Sequence, residues 1–185
     1  MASDTQELEI LYQNVRGLRT RVQQFYMNTL LNHYDIIAVT ETWLHQGIYN
    51  GELFEQNYVV FRKDREETEC GPTRGGGLIL AIDKKILAER YRAMELQDTG
   101  VEQIWIRIQV RKNSWLYIGL FYFPPGTDRG EYSQIYDKIT SHGFSTENIL
   151  LLGDFNLPLF DNHNARNTTQ AVSYTHLTLP TIYSV

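Results

Sequence analysis

The chain has 185 residues, enough for one domain with a real core and a weak case for two. Hydrophobic residues make up 42% and charged residues 21%, an ordinary globular balance that excludes a disordered chain. A formal net charge of −5 excludes a protein that coats nucleic acid by bulk charge, though a metal-dependent enzyme, which needs carboxylates, stays open.

The N-terminal stretch MASDTQELE is polar and acidic, unlike a secretory signal. No stretch is apolar and long enough to span a bilayer. Cys70 is the single cysteine, so no disulfide framework can form within the chain. Together these point to an intracellular protein, nuclear or cytoplasmic, with no membrane partner.

Leu8 to Gln13 reads as a first strand. A helical pattern follows, in which Leu18, Val22, Phe25, Thr29 and His33 share one face. Asp35 to Thr40 is a short apolar run, expected to be a buried strand. Strand, helix and strand over this length predict a parallel βαβ unit.

A long loop, Thr42 to Asn57, leads to strands at Tyr58 to Arg62 and Leu78 to Ile82. A polar loop ending in Gly75-Gly76-Gly77 separates them. Val101 to Arg111 alternates, with Ile104, Ile106, Ile108 and Val110 on one face and Trp105, Arg107 and Gln109 on the other. That pattern predicts a half-buried strand, paired across Lys112-Asn113-Ser114 with Trp115 to Phe123.

Pro124-Pro125-Gly126 stops that strand. Thr127 or Asp128 is expected to cap a helix whose apolar positions are Tyr132, Ile135, Tyr136 and Ile139. Asn148 to Leu152 reads as another buried strand, closing in Gly153-Asp154-Phe155-Asn156. Two sheets packed face to face with helices outside accommodate this order.

Three apolar strands thus end in a polar side chain: Asn14, Glu41, and Asp154 with Asn156 just beyond. Ligand sites gather outside the carboxyl ends of parallel strands. Two carboxylates and two carboxamides form a hard donor set that suits Mg²⁺ or Mn²⁺ rather than zinc. No P-loop and no GxGxxG is present.

The wording of these segments is similar to a known family. Asn14-Val15-Arg16-Gly17-Leu18, Thr40-Glu41-Thr42-Trp43-Leu44, Tyr122-Phe123-Pro124 and Gly153-Asp154-Phe155-Asn156 resemble, in order, the motifs of the endonuclease/exonuclease/phosphatase superfamily. The resemblance implies a four-layered α/β sandwich and metal-dependent hydrolysis of phosphate esters. Phe61 to Arg65 (FRKDR), Arg74 to Leu78 (RGGGL) and Tyr122 to Gly126 (YFPPG) resemble the endonuclease domain of non-LTR retrotransposons, which nicks DNA. Such domains normally precede a reverse transcriptase, which this sequence lacks.

The resemblance assigns roles. Glu41 stands where the family has its metal-binding glutamate, and Asn14 where an asparagine sets metal and phosphate. Asp154 matches the aspartate that orients or deprotonates the attacking water. Asn156 matches the asparagine on the scissile phosphate, and Tyr122 the tyrosine that hydrogen-bonds it. Arg62, Arg65 and Arg74 are candidate phosphate contacts, while Trp43 and Trp105 fit packing better than base stacking. Cys70 has no basic partner in sequence and reads as inert.

The family's C-terminal Ser-Asp-His-type segment finds no match. His163 lies too near the GDFN motif, and His176 lacks the companion aspartate. Residues 1–171 read as a partial domain of this type. The tail 172–185 (VSYTHLTLPTIYSV) reads as foreign sequence joined near Gln170 to Val172. The expectation is a poorly soluble chain without nuclease activity. Two rivals accompany the nuclease reading: a phosphatase or phosphodiesterase of the same superfamily acting on a small phosphorylated substrate, and a non-catalytic binding module.

Overall fold

The computed structural model describes residues 7–64, 75–144 and 148–157, together with the backbone of Thr181–Tyr183. In chain order the elements are β1 (Ile10–Asn14), α1 (Val22–Leu31), β2 (Ile36–Thr40), β3 (Tyr58–Lys63), β4 (Leu78–Asp83) and β5 (Ala88–Arg90). They continue with β6 (Glu102–Arg111), β7 (Ser114–Tyr122), α2 (Arg129–Ser141), β8 (Ile149–Asp154) and β9 (Thr181–Tyr183). Single 3-10 turns lie at Asn50–Glu52 and Arg92–Met94.

The strands form two mixed sheets, ordered β3-β4-β2-β1-β9 and β5-β6-β7-β8. β1 and β2 are parallel, in register Ile10 with Ile36 through Asn14 with Thr40, as the strand–helix–strand spacing predicts. β7 and β8 are likewise parallel, and their last residues, Tyr122 and Asp154, are partners. β9 runs antiparallel to β1.

Strand periodicity explains the layering. In β2, Ile36 and Ala38 face the second sheet while Ile37 and Val39 face outward. β4 repeats this with Leu78, Leu80 and Ile82 inward and Ile79 and Ala81 outward. From the other sheet, Ile104, Ile106, Ile108, Ile118 and Leu120 complete the inter-sheet core. The outward face of the first sheet packs Leu18 from the segment after β1, Phe25 from α1, and Leu53 and Phe54 from the loop after β2. That of the second packs Trp105, Phe121 and Phe123 against Ile135 of α2. Helix, sheet, sheet and helix make the expected α/β sandwich.

Four expectations need correction. His33 lies beyond the end of α1, and its side chain is 52% exposed. Tyr136 points away from the core on α2, whose buried stripe runs through Ile135, with Tyr132 and Ile139 partly covered. β6 is covered on both faces from Glu102 to Ile106, because α2 and the Phe121 and Phe144 rings close over Trp105. β8 is only half-buried, since β7 alone pairs with it among the described residues. The cap of α2 is Asp128, whose side chain accepts a hydrogen bond from the Gly130 N–H at 2.7 Å.

Candidate functional site

Four strands deliver their C-terminal residues to one rim of the sandwich. Asn14 ends β1, Glu41 follows β2, Tyr122 ends β7 and Asp154 ends β8. β8 packs close to β1 and β2 across the sheet interface, which carries Asp154 over to the first sheet.

The meeting point is the Asn14 carboxamide. Its Nδ2 donates to Glu41 Oε1 at 3.0 Å and to Asp154 Oδ2 at 2.8 Å. Its Oδ1 accepts from the Arg16 N–H at 3.2 Å. Asn14 is therefore held at both ends of its amide, and two carboxylates from different sheets lie within 3.0 Å of one nitrogen. Among the described residues neither carboxylate makes an ion pair.

The negative charge is felt nearby. Tyr12, two residues earlier on the same face of β1, shares a 3.3 Å hydrogen bond with Thr40 Oγ1. Burial pushes its phenol pKa well above the usual range, and the charges of Asp154 and Glu41 push it further.

Backbone strain marks the same rim. Glu41 has φ 55° and Asn156 has φ 37°, both in the left-handed region that costs non-glycine residues of order 1–3 kcal/mol. The Glu41 conformation is pinned by the Gly17 N–H, which donates to its carbonyl at 2.8 Å, and by the Leu18 N–H, which donates to Thr42 O at 2.9 Å.

The Gly153–Asn156 turn is tied from three sides. Gly153 has φ 148°, and a Cβ there would sit 2.2 Å from Phe121 O, so only glycine lets β8 lie this close to β7. The Tyr132 hydroxyl of α2 donates to Phe155 O at 2.8 Å and Asn156 O at 3.2 Å. Asn156 Nδ2 donates to Phe123 O at 2.8 Å, and the Asn156 N–H to Asp154 Oδ1 at 3.3 Å. The Tyr132 phenol pKa is raised by burial and by the charges of Asp154 and Glu131.

The remaining candidates separate. Tyr122 is buried beside Asp154 and contributes to the inter-sheet core. Arg62 lies on β3, the far edge of its sheet, with its guanidinium committed elsewhere. It pairs with Asp64 at 2.5 Å and donates to Ile48 O at 2.6 Å and His45 O at 2.8 Å. In the structure Arg62 fastens the loop after β2. Arg65, Arg74, Cys70, His163 and His176 lie outside the described residues. Trp105 is core, and Trp43 packs its ring over Gly17.

Sequence reasoning missed Tyr12, Tyr132 and Glu102. Glu102 was legible in principle: period-two alternation from Ile104, Ile106 and Ile108 puts a carboxylate on the core face of β6.

The donor set fits a hard divalent cation. Among the described residues no group of three or more His, Cys, Asp or Glu side chains forms a metal cage. Two converging carboxylates with a carboxamide suit Mg²⁺, which keeps several waters and takes few protein ligands.

Comparison with known proteins agrees with this architecture. No curated protein matches the chain. Solved structures of similar fold include the endonuclease domain of TRAS1, a telomere-specific non-LTR retrotransposon, with TM-score 0.60 and 13% identity, covering 83% of this chain and 63% of that one. Truncated Caenorhabditis elegans TDP2 gives TM-score 0.57 at 15% identity, covering 82% of this chain and 63% of that one. The human Nocturnin catalytic domain with bound sulfate gives 0.55 at 13%, covering 82% and 65%. The chain thus spans less than two thirds of the length of each, and identities this low speak for the fold alone. The sequence also matches the model of the Endonuclease/Exonuclease/phosphatase family over residues 11–180, and with its two sheets, flanking helices and converging strand ends, the chain belongs to that family.

Proposed function

We propose that this chain carries the core of a divalent-metal-dependent phosphodiester hydrolase site, of the kind that nicks DNA in a non-LTR retrotransposon. The observation that carries the proposal is the Asn14 amide drawing Glu41 and Asp154 together from two sheets. Enzymes of the family generally use divalent metals.

Glu41 would hold Mg²⁺ or Mn²⁺, with Asn14 setting its carboxylate through a 3.0 Å hydrogen bond, and the metal would supply Lewis-acid polarisation of the phosphoryl oxygens. The Asp154 carboxylate would hold and deprotonate an attacking water. Asn14 keeps that carboxylate oriented through its 2.8 Å hydrogen bond. Asn156, whose backbone N–H donates to Asp154, and Tyr122, the partner of Asp154 across β7 and β8, would supply the neutral donors that stabilise charge gathering on a phosphate. DNA as substrate rests on the retrotransposon-like motif wording and on the likeness to the TRAS1 domain. In a parent element the natural partner would be a reverse transcriptase.

The test is titration of the 185-residue chain with Mn²⁺, read by calorimetry. Binding that weakens at least about 100-fold in Glu41→Ala supports the proposal, and binding indifferent to that change overturns it. The substrate is decided by offering supercoiled plasmid and inositol phosphates with Mg²⁺. Both go to this chain and to one extended by a Ser-Asp-His-type segment. Plasmid nicking lost in Glu41→Ala supports DNA; phosphate release from inositol phosphates without nicking overturns it. Nicking by the 185-residue chain itself would overturn the expectation of inactivity drawn from its tail.

A further inference from the structure

Glu102 opens β6 on the same rim, 8% exposed, with its side chain on the inter-sheet face. Burying a carboxylate costs several kcal/mol unless its partners are well made. Its Oε2 accepts a hydrogen bond from the Gly77 N–H at 2.5 Å, which crosses from one sheet to the other.

That N–H belongs to the Gly76–Gly77 peptide. The carbonyl of the same peptide accepts from the Trp43 N–H at 3.0 Å, and the Gly77 carbonyl accepts from the Thr42 N–H at 3.2 Å. Glu102 thus holds Trp43 through that peptide plane, and the adjoining Gly77 carbonyl holds Thr42. Those residues need holding, since Glu41 and Trp43 have φ 55° and 53°. Gly77 has φ 88°, and a Cβ on it would lie 2.4 Å from Thr42 Oγ1, so the segment must be glycine to come this close.

We infer that Glu102 is a positioning residue for the metal site, its carboxylate anchoring the Gly76–Gly77 peptide so that the strained turn after β2 presents Glu41 to Asn14 and Asp154. The inference rests on the metal-site reading of Glu41. A hydrogen bond to an ionised acceptor is roughly twice as strong as a neutral one, which suits an anchor that must hold strain in place.

The test compares Glu102→Ala, Glu102→Asp and Glu102→Gln in the full chain by amide hydrogen exchange without metal and by Mn²⁺ titration. Aspartate keeps the charge and loses the reach; glutamine keeps the reach and an acceptor oxygen. Expected are faster exchange at Gly77, Trp43 and Thr42 in the alanine and aspartate variants, with Ile118 and Leu120 of β7 unchanged. Mn²⁺ affinity should fall about tenfold in both and return to within about threefold of wild type in Glu102→Gln. An aspartate variant that behaves as wild type while glutamine fails would overturn the inference in favour of a purely electrostatic role. Exchange that quickens uniformly through both sheets would overturn it in favour of a core role. Should Glu102→Ala not fold, the aspartate and glutamine pair still decides. Should wild type bind no Mn²⁺, the metal reading fails, while the exchange pattern still reports on the anchor.

Discussion

The two ends of the sandwich treat their carboxylates differently. At one end Asp83, 2% exposed, ends β4 with an imidazole and an ammonium near it: His33 Nε2 at 3.5 Å and Lys85 Nζ at 4.0 Å from its Oδ2. Its Oδ1 accepts from the Lys85 N–H at 2.8 Å. At the other end Glu41 and Asp154 meet on a neutral amide, with no ion pair among the described residues. The first arrangement gives its charge a nearby lysine and a backbone hydrogen bond on Oδ1. The second gathers charge and leaves it for a cation from solution, at the end where the parallel strands terminate. The two ends differ in burial, Asp83 being buried and Glu41 and Asp154 partly exposed, and in the identity of the neighbours.

Breaking this contrast should have graded effects. The largest is expected from Glu41→Ala, which should remove at least about 2.7 kcal/mol of Mn²⁺ binding, the equivalent of 100-fold, while moving the unfolding midpoint little. Asp83→Ala should do the reverse. It should cost about 2 kcal/mol of stability in urea unfolding and leave Mn²⁺ affinity unchanged.

Asn14→Asp sharpens the comparison by replacing the bridging amide with a third carboxylate. Metal-free protein should lose about 1–2 kcal/mol through like-charge repulsion. Saturating Mg²⁺ should recover most of it, and melting curves with and without metal would reveal this. Asn14→Leu should not show that metal-dependent recovery.

The smallest effect is alkaline. Tyr12, Tyr58 and Tyr132 all have phenol pKa values raised by burial. The native state therefore keeps protons that the unfolded chain releases near pH 10. Stability from these groups is fully present below about pH 10 and falls as pH rises beyond it. Tyr12→Phe should flatten that decline without changing the slope below pH 9.

Several predictions from sequence depend only on local pattern, and those match the structure. The apolar run of β2, the βαβ spacing and the hairpin around Asn113 are set by side-chain periodicity and turn chemistry within a few residues. Asn113, with φ 63°, is such a case. Where coverage comes from distant chain, local pattern misleads. The polar and aromatic face of β6 looked half-exposed because α2 and Phe144, which cover Trp105, lie far along the sequence. NILLL looked like a buried strand because its apolar run says nothing of how many neighbours pair with it, and β8 has one among the described residues.

The site divides the same way. Asn14, Glu41 and Asp154 were visible as polar residues closing apolar strands, and their residue types suggested a hard metal. Their convergence was expected from parallel strand ends; that it would run through one amide joining two sheets was not, because Asn14 and Asp154 are 140 residues apart. Arg62 shows the converse. Its charge suggested phosphate, but the fold turns it onto Asp64 and two loop carbonyls.

By itself, then, the sequence determined the strands, the helices and the chemistry of the residues at their ends, since these depend on neighbours in the chain. Only the tertiary structure decided that one amide would span two carboxylates, that Glu102 would reach Gly77 across the sheets, and that Arg62 would be spent on the scaffold. Each is a contact between distant segments, made when the two sheets close on a common core.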